Sequence, residues 1–141
     1  MRWLTWALLA LVGYTLVAPL MRVATSGTNP IPSDVAALMT NAILVLAALA
    51  VVLATNQPLA GSLTHEKAPL VYAAGICLAV GILAYYRALA LGPVSIVTPV
   101  FGLFLVTSSA IGIVVLGEDL TARKLLGIVF AILAVYLVSV E

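Results

Sequence analysis

Residues 93–117 read PVSIVTPVFGLFLVTSSAIGIVVLG, a run without a single charged side chain. A helix of this length is about 37 Å long at 1.5 Å per residue, which exceeds the roughly 30 Å thickness of the hydrocarbon core of a bilayer. Similar apolar runs fill most of the remaining chain. The predicted helices cover residues 3–24, 33–55, 69–91, 93–117 and 121–140. The sequence therefore predicts an all-α integral membrane protein, a bundle of five transmembrane helices.

The composition supports the same fold class. Hydrophobic residues make up 65% of the 141 residues and charged residues only 8%, whereas a soluble domain is about one quarter charged. The lipid bilayer is therefore the expected surrounding. The net charge of +1 gives no electrostatic footprint for nucleic acid. The single cysteine, Cys77, excludes a disulfide within the chain.

Short polar connections separate the predicted helices. The loop over residues 26–32 is rich in turn-forming residues, and Ser33 or Asp34 is expected to cap the helix that follows. Gly92 and Pro93 predict a tight reversal, and Thr121 is the expected cap of the last helix. Because the connections are short, neighbouring helices are expected to be antiparallel within one domain spanning residues 1–141.

Lysine and arginine residues predict the orientation of the chain in the cell membrane. The side with the N-terminus carries Arg2, Lys67, Arg123 and Lys124, and the opposite side carries Arg22 and, if it counts as loop, Arg87. Since positive residues favour the cytoplasmic side, we expect a cytoplasmic N-terminus and an outside C-terminus. The bias is modest, so a fraction of chains inserted the other way is conceivable.

Charged residues inside a span are the first candidates for a function. No aspartate or glutamate lies in the middle of a predicted helix, which argues against a proton-coupled pump centred on a carboxylate. Arg87 is the only charge placed within a span, five residues before Gly92. It is interpreted either as an arginine that extends to the membrane surface near a helix end or as a cavity arginine that pairs with an anionic substrate group.

Several uncharged polar residues also lie in the predicted helices. Tyr85 and Tyr86 precede Arg87 and fit either an aromatic belt at the membrane surface or a cavity wall, and at most one of them is expected to share a face with Arg87. Asn41 fits either a hydrogen bond between helices or a pore-lining position. Thr107, Ser108 and Ser109 are expected to bond to their own helix.

Two prolines interrupt predicted helices. Pro19 and Pro99 each lack an N–H and free the carbonyl four residues earlier, which belongs to Thr15 and Ser95, respectively. A free acceptor at membrane depth is tolerated where it meets a side chain, water or ligand. The two kinks are therefore interpreted either as packing features or as parts of a substrate path, where Tyr14, Thr15, Ser95 and Thr98 also lie.

Motifs for chemistry are absent from the sequence. His65 lies in a loop, and no cluster of cysteine, histidine and acidic residues has the spacing of a metal site. No nucleophile motif, phosphate-binding glycine loop or acid–base pair is present within a span. We expect no catalytic residue, cofactor or metal.

An ordered set of motifs occurs in the second half of the chain. Residues 85–93 read YYRALALGP, residues 95–99 read SIVTP, residues 117–121 read GEDLT, and Gly127 lies in the last helix. This set resembles the EamA domain of the drug/metabolite transporter superfamily. In that family an arginine often occurs early in the second helix, whereas here residues 39–41 read MTN.

The resemblance implies a metabolite transporter that exports or exchanges its substrate by alternating access. Full-length members carry two inverted five-helix repeats, so this chain corresponds to half of an inverted-repeat transporter fold. It is expected to act as a homodimer, which could be antiparallel, or with an inverted partner chain. The expected substrate-binding residues are Tyr14, Asn41, Tyr86, Arg87, Ser95 and Thr98, and the expected gating kinks are Pro19 and Pro99. The alternatives are a non-transporting subunit of a larger complex and a flippase for a lipid-linked sugar.

Overall fold

The computed structural model describes residues 2–140, and these residues form seven helices without a strand. The helices are α1 (Arg2–Thr15), α2 (Val17–Thr25), α3 (Ser33–Ala54), α4 (Leu59–Leu63), α5 (Ala68–Leu91), α6 (Val94–Val114) and α7 (Ala122–Ser139). Five segments are long and apolar enough to cross a bilayer. They are Trp3–Thr25, Ser33–Ala54, Ala68–Leu91, Val94–Val114 and Ala122–Ser139. The predicted fold class is confirmed, and each of the five predicted helices coincides with one of these segments to within a few residues.

The helices differ from the prediction in two places. The first span is divided into α1 and α2 at Leu16, whose backbone angles remain right-handed helical (φ −85°, ψ −13°). The short helix α4 lies in the predicted polar connection after Pro58, where the backbone N–H of Ser62 bonds to the carbonyl of Pro58 at 3.2 Å. A single helical turn is too short to produce a recognisable hydrophobic period, and so the sequence did not predict it.

The expected helix caps had mixed outcomes. Thr121 caps α7 as predicted, since its side chain accepts a hydrogen bond from the backbone N–H of Lys124 at 3.3 Å. The cap predicted for the second span is wrong. The N-cap position of α3 is Pro32, no side chain caps this helix, and both Ser33 and Asp34 lie inside its first turn. The carboxylate of Asp34 binds a different helix.

The chain forms two compact units, residues 1–91 and residues 92–141. In the first unit, α2, α3 and α5 pack against one another. Most of its buried residues lie where α2 ends, α3 begins and α5 ends. They are Ala18, Met21, Thr25, Ala36, Ala37, Tyr85, Tyr86 and Leu89. Small alanine side chains allow these helices to approach closely, which matters in lipid because no hydrophobic effect drives helices together there.

The remainder of the first unit is much more open. Every side chain over residues 3–16 is exposed, and so are most residues over 38–54 and 69–80. The first unit is therefore tightly packed at one end, near the loop over residues 26–32, and loosely packed away from it.

The second unit consists of α6 and α7, which pack against each other as a hairpin. Gly117 starts the turn with a φ of +70°, a conformation that favours glycine. The backbone N–H of Glu118 bonds to the carbonyl of Gly112 at 3.2 Å, and the Glu118 carboxyl group lies over Gly112. Lys124 donates to the carbonyl of Asp119 at 2.8 Å, which closes the turn from the side of α7.

The prediction of one domain over residues 1–141 remains a prediction.

Candidate functional site

An ion pair connects the third span to the second. The Nε atom of Arg87 donates to Oδ1 of Asp34 at 3.0 Å, and its Nη2 atom donates to Oδ2 at 2.9 Å. This bidentate pair restricts both side chains, and its two hydrogen bonds are stronger together than a single one. The side chains are 61% and 55% exposed, respectively. Asp34 is thus a partner of Arg87 that the sequence did not predict, and the substrate-binding role of Arg87 remains a prediction.

A second arginine joins the first span to the third. The Nη1 atom of Arg22, in the last turns of α2, donates to the carbonyl oxygens of Leu89 and Ala90, at 2.8 Å in each case. Carbonyls in the last turn of a helix have no donor within that helix. A positive charge there also interacts favourably with the helix dipole. Arg22 thus holds the end of α5 against α2.

The adjacent tyrosines belong to the interior of the same packed end. Tyr85 is 8% exposed and Tyr86 5% exposed, and their ring centres lie 6.0 Å apart. Side chains buried to this degree do not form an exposed aromatic belt. Their position supports a packing contribution, and a direct contact of Tyr86 with a substrate remains a prediction.

A groove lies between α3 and α5 in the first unit. Its volume is about 470 Å³, and its walls are formed by Asp34, Ala37, Leu38, Asn41, Gly75, Leu78, Ala79, Ile82 and Leu83. A cavity of this size is in the range of small-molecule sites. Asp34 and Asn41 are the polar members of this lining, and they are seven residues apart on the same face of α3.

The two polar residues of the groove are arranged differently. The amide nitrogen of Asn41 donates one of its two N–H groups to the carbonyl of Ala37 in its own helix at 2.8 Å, which leaves one N–H group and the amide oxygen, an acceptor. Asp34 accepts from Arg87, and a carboxylate has further lone pairs available. The groove therefore offers hydrogen-bond acceptors along a wall that is otherwise apolar.

The structure distributes the other predicted site residues over both units. Tyr14 lies in α1 with 71% of its side chain exposed. Ser95 and Thr98 lie in the first turns of α6, in the second unit. Within the first unit Asp34 pairs with Arg87, and Asp34 and Asn41 both line the groove; Asn41 and Arg87 were predicted site residues. The substrate-binding roles of all six residues remain predictions.

The two prolines have different effects on their helices. Pro19 follows the interruption between α1 and α2, and the Thr15 hydroxyl donates to the carbonyl of Leu11 at 2.7 Å. Pro99 lies inside α6, which is assigned as one continuous helix. In the same helix, Thr107 and Ser109 bond to carbonyls of their own turns, as expected. Gating by either proline remains a prediction.

Sequence reasoning missed the contributions of Arg22 and Asp34. Arg22 binds carbonyl groups at the end of α5, and Asp34 binds another helix and does not cap its own. Antiparallel helices place the end of the first span, the start of the second and the end of the third on one side of the membrane. Arg22, Asp34 and Arg87 all lie at these ends, so the alternation of the helices is the signal that could have grouped them.

Five apolar helical segments, with charged residues paired inside them, define a multi-pass membrane protein. Comparison with known proteins assigns the family. Residues 1–140 match the EamA-like transporter family, and the chain belongs to it. It is therefore a membrane transporter, and the resemblance found in the motifs is confirmed.

A curated relative agrees with this assignment. The relative is described as an uncharacterized transporter in the cobO 3' region of Sinorhizobium sp. and is 32% identical over 139 residues, which cover 98% of this chain and 96% of the relative. No solved structure is significantly similar.

Proposed function

We propose that this chain exports or exchanges a small metabolite across the cell membrane by alternating access, as one half of a dimer. Membership of a transporter family supports transport as the activity. The relative described as a transporter is of nearly the same length, since the match covers 96% of it. Transporters commonly bind their substrate between two inverted repeats, and a second copy or an inverted partner chain would supply the other repeat.

The exposed apolar helices provide surface that lipid or a second copy of the chain can cover. Residues 3–16 of the first span are all exposed, and α7 has no buried residue among its described positions. Small residues recur on the helices at four-residue spacing, for example Ala84 and Ala88, and such pairs allow helices to approach closely. In this proposal a cytoplasmic N-terminus and an outside C-terminus describe one subunit, and an antiparallel homodimer would contain the reverse orientation as well.

The Asp34–Arg87 pair is the observation that carries the proposal. Ionisable residues within membrane spans are rare because they are costly in hydrocarbon, and they mark substrate pathways in many transporters. Here the pair is exposed and adjoins a groove of small-molecule size. We propose that a charged group of the substrate interacts with this pair.

The remaining roles follow the sequence prediction. Tyr14, Asn41, Tyr86, Ser95 and Thr98 would orient the ligand in the assembled dimer, and Pro19 and Pro99 would allow helices to bend during gating.

Efflux from proteoliposomes tests the proposal. Vesicles are loaded with a defined mixture of amino acids, nucleosides, sugars and amines, and the contents are followed by mass spectrometry after dilution. We expect saturable efflux of at least one class with wild-type protein and little efflux with Arg87→Ala. Arg123→Ala is the matched control, because Arg123 lies in the first turn of α7, which belongs to the second unit. No saturable efflux from a preparation of verified folded dimer would contradict the proposal.

One observation favours the alternative of a non-transporting subunit. Arg22 and the Asp34–Arg87 pair both join neighbouring helices, which is what a purely structural role requires. In that case Arg87→Ala would lower the yield of assembled protein. In the transport proposal the assembled fraction of Arg87→Ala is inactive, so efflux per assembled dimer separates the two.

A further inference from the structure

The chemistry of the α3–α5 groove indicates the charge of the ligand. Among the described residues that line it, only Asp34 is charged, and its carboxylate is negative. Both carboxylate oxygens of Asp34 accept hydrogen bonds from Arg87, which is not among the lining residues, so a cationic ligand has to share Asp34 with this arginine or displace it. The amide oxygen of Asn41 adds a second acceptor two helical turns further along α3. A ligand in this groove therefore meets acceptors and a carboxylate.

The apolar walls of the groove indicate the chemistry of the uncharged part of the ligand. Leu38 from α3 faces Leu78 and Ile82 from α5 across the groove, and Gly75 and Ala79 leave space between them. Nothing lies within 4 Å of the position that a Cβ atom would occupy on Gly75. Asp34 and Asn41 are about 10 Å apart along the axis at 1.5 Å per residue. The space between them suits an apolar body of several carbon atoms.

We propose that the groove binds an apolar molecule carrying a protonated amine, with the ammonium group on Asp34 and the body along Leu38, Leu78 and Ile82. The proposal rests on the proposed function and names the class of its substrate. The ammonium group shares the Asp34 carboxylate with Arg87 and competes with it. Since the Asp34–Arg87 pair joins α3 to α5, binding of the amine weakens the connection between these two helices at the packed end.

Three probes of equal chain length separate charge from apolar contact. Binding of hexylammonium, hexanoate and hexanol to purified protein is measured by calorimetry, with protein-free micelles subtracted. We expect saturable binding of hexylammonium, at least about tenfold weaker binding of hexanol, equivalent to about 1.4 kcal/mol, and no detectable binding of hexanoate. Equal binding of hexanol, or preferential binding of hexanoate, overturns the proposal, and the latter assigns the site to an anion at Arg87.

Two variants and their controls locate the binding. Asp34→Asn is expected to weaken hexylammonium binding at least about tenfold, and Asp119→Asn, which makes the same change in the α6–α7 turn, to leave it unchanged. Gly75→Leu fills the groove without altering a charge and is expected to weaken binding similarly. Gly81→Leu is its matched control, since Gly81 is also open to a Cβ atom in α5 but does not line the groove.

Gly75→Leu keeps the test decisive if Asp34→Asn does not fold. Unchanged hexylammonium binding in folded Gly75→Leu protein overturns the proposal. Binding and efflux are separate measurements, so the two proposals fail independently. A protein that transports a metabolite but prefers hexanoate overturns the amine site alone. A protein that binds hexylammonium in the groove but gives no efflux overturns the transport proposal.

Discussion

Three charged residues at one end of the first unit carry most of its specific contacts. Arg22 and Asp34 both bind residues of the last two turns of α5, and Arg87 is one of those residues. An unpaired charge within a membrane span is costly, and each of these three charged residues has a partner. The packed end is therefore held by charge-assisted hydrogen bonds as well as by the close contact of alanines and tyrosines.

Replacement of Arg22 tests its contribution to stability. Arg22→Met keeps much of the side-chain length but removes both hydrogen bonds to the end of α5. Because hydrogen bonds to a charged group contribute about 1.5–3 kcal/mol, we expect the free energy of unfolding to fall by about 2 kcal/mol. The measurement is denaturation by sodium dodecyl sulfate in mixed micelles. Arg123→Met in α7 is the control, and an equal loss in both variants would contradict the assigned role.

Reversal of the ion pair tests the connection between α3 and α5. Asp34→Arg and Arg87→Asp each place like charges together and are expected to lower the melting temperature. The double reversal restores the attraction, and a cycle of the four proteins isolates the pairwise contribution. Restoration should be incomplete because an arginine at the start of α3 opposes the helix dipole. Additive losses in the double variant would show that the pair contributes nothing.

At the scale of elements, the first span differs from the other four. It consists of two helices with an interruption at Leu16, whereas α3, α5, α6 and α7 are continuous. Pro19 is the physical cause, since it has no N–H to donate to Thr15 and its ring opposes a regular helix at that carbonyl. Only α2, the shorter piece, takes part in the packed end, and the side chains of residues 3–16 remain exposed.

Removal of this proline should join the two pieces. Pro19→Ala supplies the missing N–H, and we expect the amides around residues 16–20 to exchange with deuterium at least about tenfold more slowly, equivalent to about 1.4 kcal/mol of local stability. Pro99→Ala is the matched control. We expect a smaller decrease in the amide exchange rate for this variant because α6 is already continuous. Hydrogen exchange with mass spectrometry gives both values. Equal slowing in the two variants would mean that Pro19 does not cause the interruption.

At the scale of the whole molecule, orientation decides whether one gene product can form both halves of a carrier. The side with the N-terminus carries Arg2, Lys67, Arg123 and Lys124, against Arg22 and Arg87 on the other side. Because its hydrogen bonds hold Arg22 at the end of α5, Arg22 counts among the positive residues on the same side of the membrane as Arg87. Such a small difference is compatible with insertion in both orientations.

A reporter at the C-terminus tests this property. We expect signal from both sides of the membrane in intact cells, which an antiparallel homodimer requires. Gln57→Lys with Thr64→Lys increases the positive charge on the N-terminal side and should give a single orientation and loss of efflux. Co-expression with a variant of opposite bias should restore efflux. Signal from one side only in the wild-type chain would indicate an inverted partner chain in place of a second copy.

Much of this architecture follows from the sequence alone. In a bilayer every backbone polar group must be satisfied internally, so an apolar run of sufficient length has to be a helix. That constraint determined the five spans, and the proline and turn residues determined most of their ends. The ordered motifs from Tyr85 to Gly127 indicated the family. These features are local or periodic, and so they can be recognised without knowing which helices touch.

Only the tertiary structure decided which polar groups meet. Arg22 lies 67 residues before Leu89, and Asp34 lies 53 residues before Arg87, so no local pattern connects them. The same applies to the groove. Its walls come from α3 and α5, so its lining residues form one site only when these two helices are packed together. The physical reason is that helix formation depends on near neighbours and the solvent, whereas charge pairing depends on the register between helices.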